Sequence, residues 1–191
     1  MPARCDMVDR KRAENAVREL LAAIGEDSSR EGLRETPERV ARMLEELTAG
    51  YADRAEEHLG KTFAESGSAL VIERDIAFSS TCEHHLMPFF GRVHIAYVPD
   101  GKVAGLSKLA RTVEVYARRL QLQERMNAQI ADAIYRHLAP KGVAVAVEAE
   151  HTCMTARGVK KTGSSTVTYA VRGEISDGVV AQLLSYTGER K

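Results

Sequence analysis

An α+β domain carrying an N-terminal helical arm is the fold class this sequence predicts, and three observations predict it. Apolar residues recur at helical spacing through the first fifty positions; from Leu70 the repeat shortens to every second residue; a helical stretch over 107–138 then separates early strands from late ones. The division that follows is a helical region over 1–65 and a strand-bearing domain over 66–191, long enough together to bury a real core.

Ala13, Val17, Leu20, Leu21 and Ile24 keep a 3.6-residue period, and Gly25 stands where a C-terminal cap belongs. A second helix is expected from Thr36-Pro37-Glu38, with threonine as N-cap and proline at the first helical position. Its stripe is Val40, Met43, Leu44 and Leu47, closed by Gly50. Strands are expected at 70–80 (LVIERDIAFSS) and 91–99 (GRVHIAYVP), the latter alternating Val93, Ile95 and Tyr97 before the turn Pro99-Asp100-Gly101. One long helix, 107–138, follows with Leu109, Val113, Tyr116, Leu120, Met126, Ile130, Ile134 and Leu138 on its apolar face; Pro140 and Gly142 end it. The stretches 143–153 (VAVAVEAEHTC) and 165–172 (STVTYAVR) are strands expected to pair across the loop between them, and the tail is ambiguous.

Lys plus Arg and Asp plus Glu number 27 each, so no global field recruits nucleic acid or an anionic membrane. The first fifteen residues lack an apolar core, and no run approaches the ~18 apolar residues of a spanning helix, so a cytoplasmic location is expected. Three cysteines cannot all pair within one chain, which ranks metal binding or catalysis above a disulfide framework.

Cys82 and His85, with two residues between them, can chelate one ion from a turn, and Cys153 can supply a third ligand from a neighbouring strand. Three protein ligands leave one position open, the arrangement of a catalytic zinc; water held there titrates near pH ~7. His151 and Cys153, two apart on a strand, point to one face, and Arg157 shares that parity if the strand continues. Against this stands an incidental Cys-x-x-His. Glu83 either orients an imidazole or is simply solvated. Cys5 reads as an exposed bystander, and His58, His94 and His137 as surface or packing residues. At the start of the long helix, Ser107 is an N-cap candidate, and Lys108 and Arg111 lie three apart on its first turn. Cations there oppose the helix dipole unless an anion is present, which points to phosphate; the alternative is that Arg111 pairs with Glu114 on an ordinary solvated face.

Four separated motifs in order carry a resemblance: Ser80-Thr81-Cys82-Glu83-His84-His85, Gly105-Leu106-Ser107-Lys108, the stretch from Ala117 to Arg125 (ARRLQLQER), and His151-Thr152-Cys153-Met154. From about Glu31 to Val171 the chain resembles GTP cyclohydrolase I, a zinc enzyme converting GTP to 7,8-dihydroneopterin triphosphate and formate. The resemblance implies Cys82, His85 and Cys153 as zinc ligands and His84 and His151 as an acid-base pair. It implies Ser107, Lys108, Arg111 and Arg157 on the triphosphate, Gln123 and Glu124 at the guanine, and Arg39 as a further phosphate contact. It also implies the tunnelling fold, an antiparallel four-stranded sheet with two helices, in a homo-oligomer, a decamer whose active sites lie between subunits. The tail 177–184 (DGVVAQLL) departs from the Arg-x-Glu-Phe-Leu pattern of many members, and 126–130 (MNAQI) and Ala104 depart at packing positions. Remaining rivals are the same reaction in a deazapurine pathway, another zinc hydrolase, a cysteine-nucleophile branch of the fold, and a non-catalytic zinc-stapled interaction module.

Overall fold

The structure is a computed structural model that describes residues 8–67 and 69–188; Cys5 lies outside the described residues. The helical arm consists of α1 (Arg10–Ala23) and α2 (Thr36–Leu47), followed by a 3-10 turn at Ala49–Tyr51, the short α3 (Ala55–Leu59) and β1 (Thr62–Ala64). Then come β2 (Val71–Cys82), β3 (Pro88–Val98), β4 (Lys102–Ala104), α4 (Leu106–Ala117), β5 (Leu120–Gln121) and α5 (Gln123–Leu138). The chain finishes with β6 (Gly142–His151), the one-turn α6 (Thr152–Thr155), β7 (Thr166–Gly173) and α7 (Asp177–Ser185).

The main sheet has five strands in the order β5-β2-β3-β6-β7. Its four long strands are antiparallel neighbours, as expected, and 143–153 and 165–172 do pair, through β6 and β7. The fifth strand is an addition: β5 joins the end of β2 in parallel, Thr81 opposite Leu120 and Cys82 opposite Gln121. Strands β1 and β4 form a separate small ribbon.

That pairing also breaks the expected long helix into α4 and α5. Arg119 folds back so that its Nε donates to Val115 O (2.7 Å) in the last turn of α4 and to Gly50 O (3.0 Å) in the 3-10 turn, tying the two together. The guanidinium lies over the rings of Tyr116 and Tyr51, at 4.9 and 5.6 Å. Leu120 continues the helical spacing by coincidence; its backbone is used by the sheet. Two expected caps also shift. Glu35, not Thr36, is the N-cap of α2, because a run of turns leads directly into it, and Gly105, not Ser107, is the N-cap of α4, because β4 ends one residue before it.

Val93, Ile95 and Tyr97 are fully buried, but so are His94 and Ala96 between them. The reason is α7, the tail of ambiguous sequence, which lays Leu183, Val179 and Val180 over Ala96, Ala144 and Ala146 on the sheet face opposite α4 and α5. A sheet covered on both faces loses the alternation that a half-exposed strand displays. The arm shows the converse: Leu21 is buried, whereas Leu20 and Ile24 of the same expected stripe are 60% and 65% exposed.

Gly91 has no room for a side chain. A Cβ there would lie 1.8 Å from Glu148 O on the neighbouring strand, so glycine permits the close approach of β3 to β6 beside the site.

Candidate functional site

Three adjacent strand ends build the site. Strand β2 delivers Cys82 as its last residue, and the turn that follows is held by Leu86 N–H to Cys82 O (2.9 Å) and Cys82 N–H to Met87 O (2.8 Å). Leu86 takes a left-handed φ of 54° to close it. The chain re-enters the sheet at Pro88, and Phe89 sits opposite His151, the last residue of β6. Thr152 Oγ1 donates to Pro88 O (2.5 Å), pinning α6 against the start of β3.

Cys153 is on α6, not on a continuing strand, which corrects the parity argument: β6 ends at His151, so neither Cys153 nor Arg157 shares a strand face with it. The turn of helix nevertheless brings Cys153 to its partners. One donor atom each from Cys82, His85 and Cys153 lies within 4.8 Å of the others, the grouping that spacing alone suggested. Two thiols and an imidazole are a donor set suited to zinc, and three ligands leave a position open. Burial, and then the neighbouring Cys82 thiol, push the Cys153 thiol pKa up, while Arg157 opposes this. A cation bound there would reverse that preference.

Around this centre the structure gathers two further groups. His151 stacks on Phe89 with ring centroids 4.6 Å apart and planes 8° apart, and its Nε2 lies 2.8 Å from Gln123 Oε1. Burial lowers the His151 pKa, partly offset by the Glu124 carboxylate. His84 is exposed and meets His85 edge-on, centroids 6.2 Å apart. Glu83 is not merely solvated: Arg125 grips both its oxygens, and this hydrogen-bonded pair holds its carboxyl below the usual range.

Glu124 stands in the first turn of α5 and lines an open cleft of about 570 Å³ with Asn127, Thr168, Tyr169 and Arg172. Ser107 and Lys108 occupy the first turn of α4. Arg111, one turn on, lines a second cleft of about 250 Å³ with Gly50, Asp53, Glu114 and Arg118. The expected alternative partner of Arg111 is taken, since Glu114 pairs with Arg118 (2.6 Å); the acid whose field Arg111 reaches is Asp53. Arg39 pairs with Glu35 on its own helix (2.6 Å). Among the described residues, no hydrogen bond or ion pair ties Ser107, Lys108, Arg111 or Arg39 to the Cys-His cluster.

Comparison with known proteins settles the lineage. The sequence profile of the GTP cyclohydrolase I family matches residues 13–185. The chain belongs to the GTP cyclohydrolase I family. Enzymes named GTP cyclohydrolase 1 are similar to it nearly end to end: 58% identical over 166 residues in Clostridium kluyveri, covering 87% of this chain and 90% of the relative. The Streptococcus sanguinis enzyme is 56% identical over 169 residues (88% and 92%), and that of Carboxydothermus hydrogenoformans is 56% identical over 177 (92% and 92%). Among solved structures, an archaeosine synthase QueF-Like in the apo form matches with a TM-score of 0.48 at 20% identity, over 59% of this chain and 100% of that one. Within the GTP cyclohydrolase I family, then, this chain is an enzyme whose Cys-His-Cys group forms a possible metal site. Among the described residues no helix is long and apolar enough to cross a membrane.

Residues that the sequence did not single out complete the surroundings of this family member's site. Phe89 is recognisable only as the register partner of His151, and Thr168 contacts Gln123 from 45 residues away. No local pattern marks either.

Proposed function

We propose that this chain hydrolyses GTP to 7,8-dihydroneopterin triphosphate and formate, with one zinc ion held by Cys82, His85 and Cys153. The observation that carries the reading is the convergence of those three donors beside His151, in a chain of this family. Zinc in such a site supplies a Lewis acid that makes water acidic enough to attack near neutral pH.

The residues divide the remaining work. Opening the five-membered ring of guanine at C8 requires a proton on the departing ring nitrogen, and His151 delivers it after taking one up from the attacking water, since imidazole exchanges protons near the operating pH. His84, exposed at the turn, serves proton transfers on the ribose side. The Glu124 carboxylate accepts from N1–H and the 2-amino group of guanine together, a fork that adenine cannot complete. Ser107, Lys108, Arg111 and Arg157 hold the triphosphate, with Arg39 as an outer contact. In sum GTP and one water give the dihydropterin and formic acid.

The same reading takes the sheet as a tunnelling fold over 66–191, attached to the helical region 1–65, and the working protein as a cytoplasmic decamer with sites between subunits. Two features support assembly: Val167 and Tyr169 on the edge strand β7 are 44% and 59% exposed, and the arm leaves Leu20 and Ile24 uncovered. A site shared between subunits also accounts for phosphate ligands on α4 that do not touch the metal cluster within one chain. The test is to measure formate and the fluorescent oxidised pterin formed from GTP beside zinc content. Stoichiometric zinc with neither product would overturn the reading.

A further inference from the structure

Gln123 opens α5 as a buried residue, and every polar atom of its side chain is engaged by protein. Its Nε2 faces Val147 O at 3.0 Å, Thr166 O at 2.9 Å and Thr168 Oγ1 at 3.2 Å. Two of these are backbone carbonyls, which accept and never donate. Turning the amide over would set its oxygen against two other oxygens. The orientation is therefore fixed, and Oε1 must be the atom facing His151 Nε2 at 2.8 Å. An amide oxygen only accepts, so His151 Nε2 carries a hydrogen. In the neutral ring the lone pair is then on Nδ1. Phe89, stacked 4.6 Å away and nearly parallel, holds the plane of the same ring.

We infer that Gln123 is a positioning residue for His151 and not a reader of guanine: it locks the Nε2–H tautomer, so that Nδ1 is the atom through which His151 exchanges protons with the substrate. This rests on the reading of His151 as the acid-base group. The anchor lies at the seam of two strands, because Val147 and Thr168 are register partners across β6 and β7. Asn127 Nδ2 also donates to Thr168 Oγ1 (3.3 Å), which fixes the hydroxyl from the side of α5. An imidazole held in the wrong tautomer presents a donor where an acceptor is needed, a fault that costs orders of magnitude in rate without loosening binding.

The test combines kinetics with spectroscopy on the zinc-loaded, assembled enzyme. Gln123→Met should lower kcat roughly tenfold or more with zinc content unchanged. In the His151→Ala background, Gln123→Met should add nothing, because its effect passes through the missing ring. GTP affinity, measured in that same background, should be unchanged. A tenfold loss of GTP affinity, or additive effects on kcat, would show that Gln123 acts on the substrate and overturn the inference. Full activity in His151→Ala alone overturns instead the assignment of His151 as the acid-base group. Should Gln123→Met fail to assemble, the unaltered enzyme still answers: 15N spectra of labelled histidine, with the His151 signals identified by difference from His151→Ala, must show a hydrogen on Nε2. A ring protonated on Nδ1 alone refutes the lock.

Discussion

Arg125 grips Glu83 with two parallel hydrogen bonds, Nη1 to Oε2 at 2.5 Å and Nη2 to Oε1 at 2.9 Å, across 42 residues of sequence. The pair joins two pieces that must stay in register: the turn carrying His84 and His85, and the first turn of α5 carrying Gln123 and Glu124. Both partners are solvent-accessible, so the pair contributes to alignment more than to global stability. Arg125→Met should leave thermal stability nearly unchanged while raising KM for GTP and speeding zinc loss to a chelator, with both effects reproduced by Glu83→Gln. Unaltered chelation kinetics in both variants would leave the pair with no role at the turn.

Cys153→Ser should drain zinc and activity together, because the two remaining ligands hold the ion poorly. His151→Ala, by contrast, should keep the metal and lose turnover. Elemental analysis beside the formate assay separates them; a metal-free His151→Ala would mean that a ligand has been mistaken for an acid.

Glu124→Gln keeps the shape of the side chain but replaces one acceptor oxygen with a donor. The expected loss in kcat/KM for GTP is at least about tenfold, or ~1.4 kcal/mol, at unchanged zinc content. Turnover within about threefold of the parent (~0.7 kcal/mol) would return Glu124 to the solvated face of α5.

His94 makes stability depend on pH. It is wholly buried in β3, accepts from Asp75 N–H at Nδ1 (3.2 Å), and among the described residues its Nε2 has no hydrogen-bond partner. Tyr186 from the tail lies against it, with centroids 6.1 Å apart. Burial lowers its pKa; Asp75 of β2 and Glu148 of β6 oppose this, and Arg92 and Arg74 add to it. Above the unfolded pKa of ~6.5 the imidazole is neutral in both states. As pH falls below that value the unfolded chain takes up a proton that the folded chain refuses, so stability falls on acidification. His94→Gln should flatten the fall in Tm between pH 7 and 5, by about 2–4 °C for each kcal/mol involved. Parallel curves for parent and variant would remove His94 from the acid response.

The sequence by itself determined the α+β class, the arm, the four long strands and the Cys-His-Cys grouping. Each rests on a local regularity: a period, a cap, a two-residue spacer. The Cys82–His85 pair is legible because both donors lie on one turn. Cys153 was found too, although for a reason that did not hold, since its place comes from α6 and not from strand parity.

Only the tertiary structure decided where 107–138 breaks, because the interruption is made by backbone pairing of Leu120 and Gln121 with Thr81 and Cys82 and by Arg119 turning back to Gly50. The burial of His94 was likewise beyond local reading, since α7 covers that face from 80 and more residues away. The same holds for Gln123. The sequence places it midway along one expected helix and the resemblance sets it at the guanine, and only the packing of α5 against β6 and β7 turns its amide toward His151. Periodicity reports which face a residue prefers, and a hydrogen bond between distant segments is decided by where the fold puts its partner.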